Sequence, residues 1–535
     1  MKRIIILFIL LVQVLFLFSQ NLQLTWQQCF GGTEWDYARD IYEINSRYLI
    51  AGSTKSNDGN VSFNHGATDG WLIKTNSIGE LEWEKTYGGS NGDGIFRIFS
   101  ADENNYYLLC SSYSSDGDIS NDPYPESTDF WIVKIDSSGN ILWEKILGGN
   151  ILDQMWTGTP TADGGVVAFG WTGSQDGDVT VNYGAYDMWM VKVNSEGEKE
   201  WDFSIGTNDF DYGQAIIQTS DEGFLVGGTS TIGEGGNLTC EPFNDYGEAI
   251  LVKLDADRNI EWQQCYGGSG HDGITAITEV SDGYLFAGYV NSNDGDISGW
   301  HGENDIWVVK VDIVGNIIWQ KCLGGSRSEY TSKLIITDEV EIIIPGNTQS
   351  NNGDVSGNHT LSEYDHDIWM VKLSSEGVLL SQQCFGGEGD DRIDFGVVKK
   401  SDNNFVIAGQ TDYGPSFDVA CTPHGGNGID RDLWVFEIDS IDTSGIIGSP
   451  FIQNSIKVYP NPAKDYVIFE TTLTHTNRVK YKIIVSDVFG QEVVTLSLKN
   501  EKTVWDCREA INGTYIYCIQ SGLNVIDRGK IVILK

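Results

Sequence analysis

The sequence predicts an all-β chain built of repeats, and three observations carry that prediction. A two-strand unit, clearest at residues 128–149 (TDFWIVKIDSSGNILWEKILGG), recurs about every 59 residues, with its second-strand anchor at Trp26, Trp83, Trp143, Trp201, Trp262, Trp319 and, the ring lost, Ser381. Each period holds two further strand-like runs, as in residues 37–44 and 47–54 (RYLIAGST), and no run of helical period. The array is entered on a second hairpin strand, residues 22–30, and left on a first hairpin strand, residues 433–439. Four-stranded repeats of this length are the blades of a β-propeller. Seven anchors give seven blades, and the two leftover strands pair to close the ring, which removes the open edges that invite aggregation. An open solenoid is the alternative, but it needs polar terminal caps, and none is visible.

Within the hairpin, residues 130–135 are apolar and aromatic apart from Lys134, and residues 141–146 carry Trp143. Between them Asp136 accepts backbone hydrogen bonds as an Asx-turn and Gly139 supplies the positive φ of a tight hairpin. The first-strand anchor recurs at Trp71, Trp131, Trp189, Ile250, Trp307, Trp369 and Trp434.

The chain opens with residues 1–20, a basic start (Lys2, Arg3), an apolar run and Ser19 before Gln20, which reads as a secretory signal peptide. The apolar run is short and interrupted by Gln13, no cysteine stands at the cleavage position to take a lipid, and no later segment is apolar enough to span a bilayer. With 76 acidic against 34 basic side chains the formal charge is −42, which repels nucleic acid and anionic membranes and favours cations. Nine cysteines, an odd count, exclude complete internal pairing. Cys29, Cys265, Cys322 and Cys384 sit at the same repeat position, where parallel, separated side chains cannot bridge one another, so they read as small buried hydrophobes. Cys507 and Cys518, in two strand-like runs, are the expected disulfide.

Two acidic sets recur without exception. Asp36, Asp93, Asp153, Asp211, Asp272, Glu329 and Asp391 follow the Gly-Gly element or its equivalent, and Asp69, Asp129, Asp187, Glu248, Asp305, Asp367 and Asp432 stand two residues before the first-strand anchor. Blade symmetry favours a structural reading, carboxylates accepting backbone N–H groups at strand entrances, with Lys74, Lys134, Lys192, Lys253, Lys310 and Lys372 as counter-charges and Glu437 the exception. The alternative is a ring of carboxylates at the mouth of a central channel, raised in pKa by mutual repulsion or holding a cation.

A third recurrence precedes five of the hairpins: SNDGNVS from Ser56, SSDGDIS from Ser114, SQDGDVT from Ser174, SNDGDIS from Ser292 and SNNGDVS from Ser350. Asp116 with Asp118, Asp176 with Asp178, and Asp294 with Asp296 place hard oxygen ligands around a turning glycine, as Ca²⁺ requires. Asp-Gly is equally an ordinary turn dipeptide, and the terminal bidentate Glu of a calcium loop is missing. His65, His301, His359 and His424 are isolated in different repeats and form no metal set. The G-x-S-x-G pattern occurs at residues 88–92 (GGSNG), in the Gly-Gly connection of a repeat with no helical run after it to make a nucleophile elbow, and there is no H-E-x-x-H and no phosphate loop opening a helix.

After Asp439 the pattern stops. Residues 441–455 read as a Gly/Ser/Pro-bearing linker, and residues 456–535 alternate apolar and polar positions between turn signals, as in a small β-sandwich. Tyr459-Pro460-Asn461-Pro462, the D-x-x-G element from Asp487 to Gly490, Gly513-x-Tyr515 and the terminal run from Lys530 together resemble the type A sorting domain of the Bacteroidetes type IX secretion system. The resemblance implies Sec export, passage across the outer membrane by the type IX machinery, and a mature chain secreted or attached to the cell surface. The repeats also resemble those of uncharacterised secreted proteins with the same tail and, in their D-x-x-G-x-x-x-W turn, quinoprotein propellers. No cofactor-site constellation accompanies that turn, so quinone chemistry is not implied.

The sequence thus predicts a seven-bladed propeller (21–440) with an exported C-terminal address (456–535), binding an extracellular glycan or protein through loops at one face, with no nucleic acid partner, no cofactor assigned, Ca²⁺ at the Asp-Gly-Asp loops as a candidate set against ordinary turns, and no catalytic residue assigned. A carbohydrate-active hydrolase or lyase using Asp or Glu is the alternative, and a self-assembling surface-layer component a third class.

Overall fold

The computed structural model describes residues 22–231, 233–240, 246–426, 428, 430–440, 457–459, 462–470, 481–487, 492–497, 502–521 and 524–535. The expected signal peptide and linker lie outside them. The chain divides into two compact units, 1–441 and 442–535. Among the described residues there is no helix, and every sheet is antiparallel.

The first unit contains seven sheets in chain order. Sheet 1 runs Asp36–Ile44, Arg47–Thr54, Asp69–Thr75, Leu81–Tyr87, each strand paired to the next. Sheets 2 to 6 repeat that order over 93–147, 153–205, 211–266, 273–323 and 329–385. Sheet 7 takes Val397–Ser401, Asn404–Thr411 and Asp432–Ser440, and its outer strand is Leu22–Phe30, paired from Leu22 opposite Ser440 to Phe30 opposite Leu433. First strands of sheets 1 to 5 contact one another in succession, the first strand of sheet 6 contacts the second and third strands of sheet 5, and the first strand of sheet 1 contacts sheet 7.

The tryptophans explain the spacing. Trp71, Trp131, Trp189, Trp307, Trp369 and Trp434 are fully buried between sheets. Each indole N–H donates to the neighbouring outer strand: to Glu84 (2.8 Å), Glu144 (3.1 Å), Asp202 (3.3 Å), Gln320 (2.9 Å) and Gln382 (2.7 Å). In sheet 7 the acceptor is Gln27 on Leu22–Phe30, at 3.0 Å, so the N-terminal strand supplies what sequence-adjacent strands supply elsewhere. The outer-strand tryptophans pack instead on the hairpin turn of the next sheet. Trp143, Trp262 and Trp319 donate to the carbonyls of Ser195, Ile313 and Ser375. A Cβ on Gly139 or Gly197 of those turns would lie 3.1 Å or closer to the indole of the preceding sheet, so the glycine serves both the left-handed turn and the stacking.

Both irregular repeats follow from this contact. Where the turn carries Arg258 (φ 69°) in place of glycine, its guanidinium lies 4.7 Å from the centroid of Trp201. Ser381 of sheet 6 would need a turn in sheet 7, whose hairpin strands come from opposite ends of the array and have none. A cavity of about 400 Å³, lined by Leu22, Glu341, Met370, Lys372, Ser381 and Phe405 among others, stands there instead.

The cysteines correct the sequence reading. Cys29 is bonded to Cys421 and Cys240 to Cys265, with Cα separations of 6.2 and 5.6 Å. Each bridge ties an outer strand to the loop before the hairpin of its own sheet, a partner that comparing repeat positions overlooks. Cys322 and Cys384 are buried free thiols, as expected. The expected Cys507–Cys518 bridge is not formed: Cys507 is a free buried thiol following a strand of one sheet of the second unit, and Cys518 belongs to the other sheet.

The second unit is a sandwich of a three-stranded sheet (Lys457–Tyr459, Tyr466–Glu470, Lys502–Asp506) and a four-stranded one (Glu492–Ser497, Tyr481–Asp487, Gly513–Ser521, Asn524–Ile533). Val467, Phe469, Ile483, Val485, Trp505, Tyr515, Tyr517, Ile531 and Ile533 form its core.

Candidate functional site: the innermost strands

The recurrent carboxylates are built into the joints between sheets. The first set stands at or just before each first strand and accepts the same backbone bond every time: Gly32 to Asp36 (2.7 Å), Gly89 to Asp93 (2.7 Å), Gly149 to Asp153 (2.8 Å), Thr207 to Asp211 (2.7 Å), Gly268 to Asp272 (2.8 Å), Gly325 to Glu329 (2.9 Å) and Gly387 to Asp391 (2.6 Å). Hydroxyls add to it, as Ser112 and Ser114 donate to Asp93 at 2.5 and 2.7 Å. The second set is just as buried. His65, His301, His359 and His424, isolated in sequence, each place Nδ1 2.5–2.7 Å from Asp69, Asp305, Asp367 and Asp432 respectively.

One carboxylate of each set meets across the first connecting glycine. A Cβ on Gly148 would lie 2.0 Å from Asp129 Oδ1 and 2.7 Å from Asp153 Oδ2, and Gly31, Gly206, Gly324 and Gly386 stand between corresponding pairs. Asp69, Asp129, Asp187, Asp305, Asp367 and Asp432 each keep a buried Oδ1 with no hydrogen-bond partner. Burial, then the neighbouring carboxylate, pushes Asp187 up to about 7; Asp129 goes to about 8 chiefly by burial, with Asp153 adding to it. Burial takes Asp36 and Asp272 to about 6 and Glu329 to about 7. The lysines are not their counter-charges. Lys192, Lys253, Lys310 and Lys372 pair with Asp163, Asp221, Asp282 and Glu341 of the inner hairpin turns, and sheet 7 reverses the sign with Glu437 on Lys400.

The Asp-Gly-Asp loops clamp the same connections. Asp116, Asp176 and Asp294 accept from the backbone of Ser90 (2.7 Å), Asn150 (2.9 Å) and Ser269 (2.7 Å). Asp118, Asp178 and Asp296 accept from Gly88 (3.2 Å), Gly148 (3.4 Å) and Gly267 (3.4 Å). The two carboxylates of each loop thus serve different amides. Among the described residues no group of three or more His, Cys, Asp or Glu is arranged to hold a metal.

Repetition fails on the innermost strands. The first strand of sheet 6 is broken into Glu329–Thr331 and Ile335–Ile336, and that of sheet 7 shrinks to Val397–Ser401 behind a single bridge, Arg392 to Gln410. Phe395, from the irregular stretch, ties four sheets together. Its N–H donates to Arg39 of sheet 1, its carbonyl accepts from Lys333 of sheet 6, and its ring lies 4.4 Å from the guanidinium of Arg97 of sheet 2. Arg97 also donates to Asp40 and Thr157, both at 2.9 Å. Burial brings the Lys333 ammonium down to about 8.

Beside this plug lies a charged cluster. Asp390, 2% exposed, accepts from the backbone and faces Nδ1 of His366, both at 2.9 Å, and pairs with Arg392 (2.7 Å) and Arg431 (2.5 Å). Despite its burial those partners hold Asp390 at about 2. Arg39 pairs with Asp394 at 2.9 Å. An aromatic arc leads away from the cluster. Arg431 lies 5.5 Å from the Trp35 ring, Trp35 is 5.8 Å from Tyr37, and Arg39 is 4.8 Å from Phe96; Phe96, Trp156, Trp171 and Tyr212 then follow at 6.2, 5.9 and 5.2 Å. None of these residues was singled out from the sequence. Part of the signal was present in the residue after each first-set carboxylate (Tyr37, Gly94, Gln154, Tyr212, Gly273, Tyr330, Arg392), which varies among Tyr, Gly, Gln and Arg, with the arginine occurring once, while its neighbour is always acidic.

In the second unit the sorting elements fall on neighbouring strands. Asp487 ends a strand opposite Tyr515, which stands two residues after Gly513 and donates its hydroxyl to Ile511 at 2.8 Å; Lys530 is paired with Ile516 on the last strand. Tyr459 ends its own strand, Pro462 is exposed, and Ala463 beyond it bonds the terminal strand through Val532 and Leu534. Pro460, Asn461 and Gly490 lie outside the described residues. Residues 457–534 match the secretion system C-terminal sorting domain. The protein is therefore exported, to be secreted or held at the outer-membrane surface, and its sorting domain marks it for the type IX machinery.

No curated protein matches the chain. Among solved structures it is similar to the polysaccharide lyase Uly1 (12% identity, TM-score 0.43, 77% of this chain and 90% of that one). It is also similar to the PQQ-bound aldose sugar dehydrogenase of Streptomyces coelicolor (10%, TM-score 0.33, 78% and 98%) and a DUF4221 family member from Bacteroides vulgatus (8%, TM-score 0.30, 79% and 99%). These likenesses are propeller-like and low, and they carry no argument about activity.

Proposed function

We propose that residues 22–440 form one closed seven-bladed propeller, and that the exported protein binds extracellular material, a glycan or a protein, at the centre formed by the innermost strands of sheets 6, 7 and 1 and the adjoining aromatic arc. The observation that carries this reading is the contrast between the joints and the cluster: the joint carboxylates recur in all seven sheets, and the group of Arg39, His366, Asp390, Arg392 and Arg431 occurs once. A rigid repeated frame holding a non-repeated set of aromatic and charged groups is how such scaffolds present a ligand site. Closure rests on Leu22–Phe30 completing sheet 7 and on Gln27 receiving the Trp434 N–H. Tyr459, Pro460, Asn461, Pro462, Asp487, Gly490, Gly513, Tyr515 and Lys530 are the sorting residues offered to the secretion machinery.

Glycan-array and pull-down binding by the purified protein tests the reading. Binding that Trp156→Ala removes, with the melting midpoint unmoved, supports it; binding indifferent to Trp156→Ala and Arg392→Ala overturns it. A second reading, a lyase or hydrolase at the same place, is favoured by one observation, the His366–Asp390 pair, in which a buried carboxylate orients an imidazole beside Tyr330 (ring centroids 6.4 Å). Unsaturated products from a polysaccharide, lost in His366→Ala, would establish it.

A further inference from the structure

We infer that the inner-strand centre takes an acidic glycan, with sugar rings along the aromatic arc and a uronate carboxylate received by Arg392 and Arg431; the inference rests on the binding reading above. The chain carries a formal charge of −42, so a polyanion is repelled at long range unless cationic groups are gathered for it. They are gathered here and sorted by duty. Arg97 is committed to Asp40, Thr157 and the Phe395 ring, and Lys333 to the carbonyls of Phe395 and Val397. These two hold the plug.

Arg392, Arg431 and Arg39 are differently placed. Arg392 reaches Asp390 through Nε, Arg431 reaches Asp390 through Nη2, and Arg39 reaches Asp394 through Nη1. Their remaining N–H donors have no protein acceptor among the described residues, and the three side chains are 37%, 20% and 32% exposed. One buried carboxylate shared by two guanidiniums holds both in place, and a guanidinium with donors left over is the preorganised fork that binds a planar carboxylate in two parallel bonds. Facing the cluster are also His366, Tyr37, and the carboxyls of Asp412 and Asp365, whose pKa values burial raises. Gln410, paired through the backbone with Arg392 and 9% exposed, keeps a buried Oε1 with no protein donor beside the cluster. From the guanidiniums, Trp35 and Tyr37 on one side and Phe96, Trp156, Trp171 and Tyr212 on the other supply flat faces on which a chain of pyranose rings lies without a specific hydrogen-bond partner.

The test is affinity electrophoresis of the purified protein in gels containing polygalacturonate, alginate or hyaluronan, each beside its carboxyl-reduced, neutral counterpart. Retardation by at least one uronate polymer is expected, abolished by carboxyl reduction, weakened about tenfold by Arg392→Ala or Arg431→Ala, and only partly restored by Arg392→Lys, which keeps the charge and loses the fork. Equal retardation by acidic and reduced polymers would overturn the acidic class and leave glycan binding standing. Retardation by neither would overturn both. Each variant is first matched to the parent by melting midpoint; should Arg392→Ala fail to fold, Arg392→Gln and Trp156→Ala carry the same test.

Discussion

Two regions of the same seven sheets follow opposite rules. At the joints, the sequence repeats because each sheet solves the same problem: two buried carboxylates, a glycine with no room for a Cβ and, in all but the fourth, where Ile250 stands, a tryptophan whose N–H must find an acceptor. In the stretches before the first strand of sheet 7 and before the third strands of sheets 6 and 7, one Arg–Asp–His cluster and one Phe plug occur once, and the first strands of sheets 6 and 7 are interrupted beside them. Groups that recur with the fold answer to packing; groups that cost it regular hydrogen bonding answer to something outside it.

Changes at the joints should therefore act on stability and changes at the centre on binding. The largest effect is expected from deleting Leu22–Phe30. Sheet 7 would lose its outer strand, the Trp434 acceptor and the Cys29–Cys421 bridge together, and calorimetry should show loss of the cooperative transition. An unchanged transition would mean that the N-terminal strand closes nothing. Next is Trp131→Ala, which empties a fully buried site and should cost about 3–5 kcal/mol by urea unfolding. Gly148→Ala forces a methyl against both Asp129 and Asp153, and about 1–3 kcal/mol is expected.

The pH dependence follows from the joints as well. Asp36, Asp129, Asp187, Asp272 and Glu329 are held above their ordinary values, so the folded state keeps protons that the unfolded chain releases. Their contribution is full below about pH 4 and is lost as pH rises through about 6 to 8. Asp390, Asp163 and Asp221, held at about 2, act with the opposite sign and lose theirs as pH falls from about 4. The melting midpoint should thus decline from mildly acidic to mildly alkaline buffer, and Asp129→Asn, which gives Asp153 a neutral neighbour, should flatten the decline. Smallest of all is calcium. With every Asp-Gly-Asp carboxylate already on a backbone amide, EDTA and millimolar Ca²⁺ should give the same midpoint; a rise of several degrees with Ca²⁺ would place an ion in those loops.

Much of the frame was legible because its causes are local or periodic. Gly139 marks its turn, Trp131 its buried face, and the leftover strands at 22–30 and 433–439 find each other in the predicted pairing. The disulfides escaped because Cys240 and Cys421 lie in hairpin loops without repeat spacing, so their proximity to Cys265 and Cys29 exists only in the folded sheet. The centre escaped for the same reason on a larger scale: Arg392, Arg431, His366 and Arg39 come from three sheets, and their convergence depends on sheet 7 meeting sheet 1. Searching the repeats for what they share finds the joints and passes over the site.

The most direct measurement sets the two regions against each other: affinity for a uronate polymer and melting midpoint, determined on the same preparations of Arg392→Ala and Trp131→Ala. The account predicts that Arg392→Ala, measured well below its midpoint, loses about tenfold in affinity, while that midpoint falls less than in Trp131→Ala because Arg431 and His366 still partner the buried Asp390. Trp131→Ala should lose many degrees and, at temperatures where it remains folded, bind as the parent does. Affinity retained in Arg392→Ala, or lost only in step with stability, would contradict it.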